Sequence, residues 1–166
     1  MEHEEGAGAP AWALAVEQSA FAETVRDSLW LYPAANLTHL LGLTLLVGSM
    51  VLLDLRLLGL ARRLLPAASL SRYLTPFAVA GLALMVASGL VLFSADAGPL
   101  ITNPVFRLKL LVIAAGIANA VAFRVAWQRR LPGWEERPPL LGRVQAGASL
   151  LLWLGAGTAG RLIAYF

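Results

Sequence analysis

The stretch Leu40-Leu-Gly-Leu-Thr-Leu-Leu-Val-Gly-Ser-Met-Val-Leu-Leu53 decides the fold. It carries no charge and no two-residue alternation. Extended in both directions, it becomes an apolar span of about residues 33–58. A helix needs about 20 apolar residues to cross ~30 Å of hydrocarbon. Three more stretches of that length follow, at about 73–94, 104–127 and 144–165. They are too long, and too uniform in hydropathy, to be barrel strands. Backbone groups in lipid must bond within their own segment, so the four stretches read as helices. Pro33, Pro76 and Pro104 fall near the expected span starts, where proline costs least.

Composition agrees. The chain is 58% hydrophobic and 14% charged, against about 25% charged in soluble domains. A polar skin cannot be built from so few charges, and the length suits one domain. With no cysteine, disulfides, thiolate catalysis and cysteine-based metal sites are excluded. The basic pI of about 10.0 does not point to nucleic acid, because the arginines gather at span ends, where they anchor and orient helices.

Ahead of the spans, residues 1–10 are small and acidic and are expected to be disordered. They lack the basic start and apolar core of a secretory signal, so the first span is expected to act as its own insertion signal. Residues 11–30 repeat Trp12, Val16, Ala20, Val25 and Leu29 at helical spacing among Glu17, Glu23, Arg26 and Asp27. That pattern predicts an amphipathic helix lying at the interface. The expected architecture is an all-α integral membrane protein: an interfacial helix followed by a four-helix transmembrane bundle over 31–166.

Orientation follows from the links. Residues 1–29 carry six acids against Arg26. The link at 54–72 sets Asp54 against Arg56, Arg62, Arg63 and Arg72. The link at 124–143 sets Arg124, Arg129, Arg130, Arg137 and Arg143 against Glu135 and Glu136. Both arginine-rich links are expected in the cytoplasm. Both termini and the short link at 95–103 then lie on the periplasmic side of a bacterial inner membrane.

Ionisable groups inside spans are costly, and each is a functional candidate. His39 lies roughly 9 Å below the outer boundary at 1.5 Å per residue. Asn36 is one turn above it and Gly42 one turn below, where a neighbouring helix or a flat ligand could fill the gap. Arg107, Lys109 and Arg161 reach a similar depth, with no carboxylate among them. The sharper reading of this layer is a haem b pocket. His39 would be the metal ligand, Met85 or a dimer mate's histidine a second one, and the cations would hold the propionates. The plainer reading is a histidine bonded to a helix carbonyl, with cations snorkelling to headgroups. Asp54, Arg72 and Arg124 share the inner layer and are expected to form structural ion pairs. Gly81 and Gly89, Gly116 and Ala120, and the run Gly155–Gly160 suit close helix packing. No catalytic motif of a soluble enzyme and no nucleic-acid module is present.

The runs Trp30-Leu-Tyr-Pro-Ala-Ala-Asn-Leu-Thr-His-Leu-Leu-Gly-Leu-Thr-Leu-Leu-Val-Gly48, Leu53-Asp-Leu-Arg-Leu-Leu-Gly59, Ser88-Gly-Leu-Val-Leu-Phe93 and Asn103-Pro-Val-Phe-Arg-Leu-Lys109 resemble an uncharacterised family of small four-helix bacterial membrane proteins. The resemblance spans about residues 10–125. It implies a fold and a compartment and names no activity. A looser similarity, carried by His39 to Gly42 and Phe106 to Lys109, is to CopD-like and HemJ-like (protoporphyrinogen-oxidase-like) membrane proteins. It implies haem or copper handling by analogy. Two methionines inside the spans, Met50 and Met85, are too few for methionine-rich copper ligation.

Three functions stand side by side at this point. One is a haem- or redox-associated membrane protein, working with another membrane or periplasmic redox protein. The second is a non-catalytic membrane subunit or scaffold, with a homo-oligomer as one form. The third is a binder of an anionic lipid or small anion at Lys109 and Arg161.

Overall fold

The structure is a computed structural model that describes residues 8–62, 65–135 and 138–165. Most of the expected unstructured acidic segment, residues 1–7, lies outside the described residues, as do Arg63, Glu136 and Arg137. Every regular element among the described residues is helical. The four long helices are α3 (Leu31–Leu58), α4 (Ala67–Ala95), α6 (Pro104–Trp127) and α7 (Leu140–Leu162). All four are long and apolar enough to cross a membrane. The fold is therefore the all-α four-helix membrane bundle the sequence pattern calls for.

The starts of α4 and α7 lie earlier than the sequence suggests. Ser71 and Arg72 are already helical in α4, and Pro76 is inside that helix rather than at its start. Pro76 lacks the N–H that would bond the Arg72 carbonyl, so the first turns of α4 are locally weakened there. The link between α3 and α4 is correspondingly short. It begins at Gly59, where Gly59 N–H donates to Arg56 O and Leu60 N–H to Leu55 O, the paired bonds of a Schellman closure. Arg56 is buried. Its guanidinium donates to the carbonyls of Leu65 and Arg62, tying the turn to the helix it leaves.

The 11–30 segment is two helices, not one. α1 (Ala11–Glu17) and α2 (Ala20–Asp27) are broken at Gln18 and Ser19, where the Ser19 hydroxyl accepts from Ala22 N–H and caps α2. Sequence periodicity runs through this break because Ser19 lies on the polar face. Both helices fold over the bundle end that carries the start of α3. Their apolar residues Ala13, Ala22 and Val25 are fully buried there. They also meet a helix unforeseen in the short second link, α5 (Ala97–Thr102). Gly98 N–H donates to Glu17 Oε2 at 2.6 Å, and Arg26 donates to Glu17 O and Ala95 O. Trp12 stacks on Phe93, which stacks on Phe106.

The bundle is held most tightly between α3 and α4. A Cβ at Gly81 would lie 2.5 Å from Leu46 N and 2.7 Å from Gly42 O; one at Gly42 would lie 2.8 Å from Gly81 O. Only glycine permits this approach, in the manner of small-residue seams in membranes. Beyond that seam, α3 packs on α7 and α7 on α6, whereas α4 and α6 are not closely packed on each other. The four helices therefore curl into an incomplete ring with a seam between α4 and α6. At the arginine-rich end, the 3-10 turn Leu131–Glu135 folds under the ring. Leu131 and Trp134 are buried there with Leu53, Leu57, Ala67 and Ala146. Trp134 meets Trp127 and Phe123 edge-on.

Candidate functional site

Antiparallel helices place His39, Lys109, Arg107 and Arg161 at the same end of the bundle; Lys109 lies near enough to His39 to interact with it electrostatically, but the two arginines do not join them in one pocket. His39 faces α4, where its Nδ1 is 3.0 Å from Ser88 Oγ and its ring lies against Gly89. The Ser88 hydroxyl has one proton, and Leu84 O lies 2.6 Å from Ser88 Oγ. With that proton donated to Leu84, Ser88 accepts from His39 Nδ1–H. The neutral imidazole therefore carries its proton on Nδ1 and a lone pair on Nε2. The carbonyl of Met85 is also within reach of the ring. Lys109 lies along Gly160 of α7, its Nζ 3.5 Å from where a Cβ would sit.

The remaining members of the expected pocket turn away. Arg107 is exposed and donates to Ile101 O. Arg161 is exposed, donates to Tyr165 Oη and lies over the Tyr165 ring. Asn36 is exposed one turn from His39. The space beside Gly42 is filled by α4, since Met85 Cγ would lie 2.8 Å from a Cβ there. Met85 itself packs against Leu46, Ala78 and Trp153. A planar macrocycle between His39 and Met85 has no room in this seam.

The other end holds a cavity of about 240 Å³, walled by all four long helices and floored by Leu131. Its walls are mostly aliphatic. Three of its polar residues stand out by their burial: Asp54 is 2% exposed, Ser149 3% and Trp153 3%. Asp54 Oδ2, Ser149 Oγ and Trp153 Nε1 all lack a hydrogen-bond partner among the described residues. All three residues line the same cavity. Ser149 neighbours Asp54 closely enough to be its natural donor, yet no bond of good geometry closes between them. Ser149 and Trp153 are one turn apart on α7, so helical spacing delivers both to one wall. Two other polar residues of the lining are engaged: Asn119 donates to Gln145 O, and Gln145 Oε1 accepts from Trp127 Nε1 at 2.6 Å.

Arg124 lines this cavity. Together with Arg72, Ser71, Thr75, Gln128 and Leu131 it also lines a neighbouring hollow of about 340 Å³ between α4 and α6. Both arginines are exposed, and neither guanidinium has a hydrogen-bond or ion-pair partner among the described residues. Asp54, Arg72 and Arg124 thus reach one layer, as the sequence suggests, without closing the direct ion pair expected of them. The carboxylate stands on the inner wall and the arginines at the mouth.

Ser149 and Trp153 were not singled out by sequence. Two hydrogen-bonding side chains four residues apart in an apolar span are an available signal, masked by the surrounding Gly and Ala.

A family model, the family of unknown function DUF6644, matches residues 31–166. The chain belongs to that family. The match takes in α7 and stops short of α1 and α2, so the cavity lies wholly within the family domain and the two terminal helices are outside it. No curated protein and no solved structure matches the chain, and the looser likeness to CopD-like and HemJ-like proteins finds no support.

Proposed function

We propose that this protein is a bilayer-embedded binding protein for a lipid-like amphiphile, which enters the cavity sideways between α4 and α6. The observation that carries this reading is the convergence of Asp54 Oδ2, Ser149 Oγ and Trp153 Nε1 on one cavity with no hydrogen-bond partner for any of them among the described residues. Leaving a buried polar group unsatisfied costs about 1–3 kcal/mol. Three such groups around one cavity call for an occupant with hydrogen-bonding capacity. The aliphatic remainder of the lining suits hydrocarbon, and the seam between α4 and α6 gives lateral access. We read the activity as binding or presentation. Native mass spectrometry tests this directly. One amphiphile should accompany each wild-type chain released from mild detergent, and Ala78→Phe, which fills the cavity from α4, should remove it. A bare chain in both cases would end the reading.

The second reading, haem b on His39, is favoured by one observation, the free Nε2 lone pair implied by the Ser88 bond. The closed seam at Gly42 leaves such a haem only the lipid-facing side of α3, away from Arg107 and Arg161. We therefore expect protein purified from haem-replete cells to be colourless. A Soret band that disappears in His39→Ala would reverse the preference.

We further propose that the arginine-rich end faces the cytoplasm of a bacterial inner membrane, with both termini periplasmic; the asymmetry of arginine between the links supports this reading. The chain has no cysteine, so single cysteines need no background substitution. A cysteine at Arg130 should resist an impermeant maleimide in intact cells, and one at Tyr165 should react. The opposite labelling would invert the topology and leave the cavity unchanged.

A further inference from the structure

Resting on the binding reading above, we infer that the amphiphile is zwitterionic, with a primary ammonium met by Asp54 and a phosphate met by Arg72 and Arg124. The inference comes from the charges grouped around the opening. Arg72 and Arg124 stand at the mouth between α4 and α6, with Ser71, Thr75 and Gln128 beside them and no acid among the described residues of that hollow. Two guanidinium groups with no partner among the described residues, facing one hollow, select an anion with several acceptor oxygens, and phosphate suits their planar donors.

Asp54 faces the same space from the inner wall, joined to the mouth by Arg124, which lines both hollows. It is 2% exposed, and its Oδ2 has no partner among the described residues. A carboxylate so placed selects a donor, and a cationic donor above all. Beyond Asp54 the lining becomes Leu46, Met50, Leu53, Ala78 and Leu82, which only hydrocarbon satisfies. Anion site, cation site and apolar chamber thus open on one another. A phospholipid with an N–H-bearing head meets all three needs when its phosphate stays at the mouth and its ammonium arm and acyl chains both turn inward. Phosphatidylglycerol offers Asp54 only hydroxyl donors, with no cation. A free zwitterion leaves the chamber empty.

Trp153 Nε1 and Ser149 Oγ lie on the α7 wall of the chamber. An indole N–H is a donor only, so it suits an ester carbonyl below the head.

The test uses the full chain in lipid-free detergent, titrated with phosphatidylethanolamine, phosphatidylcholine, phosphatidylglycerol or inorganic phosphate. Thermal shift and native mass spectrometry are the readouts. The ethanolamine and choline heads differ in the N–H donors that only the first possesses. One charge-assisted bond lost should weaken binding about tenfold, so the ethanolamine lipid should bind about tenfold more tightly than the choline lipid. In Asp54→Asn, a near-isosteric change, that difference should vanish. In Arg72→Gln/Arg124→Gln, affinity for every phospholipid should fall about tenfold or more. Equal binding of ethanolamine and choline lipids by the wild type would overturn the ammonium assignment and leave the binding reading standing. Preference for phosphatidylglycerol would overturn it in favour of a simple anion site. Inorganic phosphate binding as tightly as lipid would overturn the amphiphile itself. Binding of none of the four would end both readings.

Discussion

Gly81→Leu is expected to destabilise the protein by about 3 kcal/mol or more, the upper range for forcing volume into a packed interior. The obstacle is backbone, because a Cβ at Gly81 meets Leu46 N at 2.5 Å and Gly42 O at 2.7 Å. Neither atom can swing away as a side chain would, so α3 and α4 must separate. Separation would also shift α3 relative to α7 and deform the cavity they share. Thermal unfolding in detergent should show a midpoint roughly 10 °C lower, with Gly81→Ala intermediate. Gly48→Ala, on the same α3 but with nothing within 4 Å of its Cβ position, should change the midpoint little. Equal midpoints for Gly81→Leu and Gly48→Ala would show that the seam is not the closest helix contact.

Asp54→Leu is expected to stabilise the lipid-free protein while removing its response to lipid. A buried carboxylate oxygen without a partner is a standing penalty, and an apolar side chain of similar volume removes it. The midpoint without lipid should rise, by an amount corresponding to about 1–3 kcal/mol. Stabilisation on adding lipid, which follows from binding to the folded state alone, should shrink or disappear. A group kept for structure would behave oppositely, losing stability on replacement and keeping the lipid response. Ser149→Ala should follow the same direction with a smaller effect, since the hydroxyl carries no charge.

Much of this molecule was legible in the sequence, and the gaps have physical causes. The four spans came from length and hydropathy, which are properties of the chain itself. Depth placed Asp54, Arg72 and Arg124 in one layer, because rise per residue is fixed once a segment is helical. Depth says nothing about azimuth. It put His39, Lys109, Arg107 and Arg161 in one layer too, yet His39 turns to α4, Lys109 to α7, and the two arginines outward. Which way a side chain turns depends on which helices are neighbours, and only tertiary packing decides that. The break at Ser19 was hidden by a continuous apolar stripe. α5 was hidden by its brevity, since six residues carry no readable period. The pairing of Ser149 with Trp153 was visible in principle, as two donors one turn apart where donors are costly. Their shared lack of partners was not.

That lack of partners is the basis of the functional account, and fluorescence of Trp153 tests it most directly. The chain has five tryptophans; replacing Trp12, Trp30, Trp127 and Trp134 with phenylalanine leaves Trp153 as sole reporter. Trp153 is 3% exposed, enclosed by the bundle. In vesicles whose phospholipids carry brominated acyl chains, a chain entering between α4 and α6 should nonetheless quench it. Ala78→Phe, by filling the chamber, should relieve most of that quenching. Trp153 emission unaffected by bromine, or quenched to the same degree with the chamber filled, would mean that no lipid chain reaches the polar wall, contradicting the account.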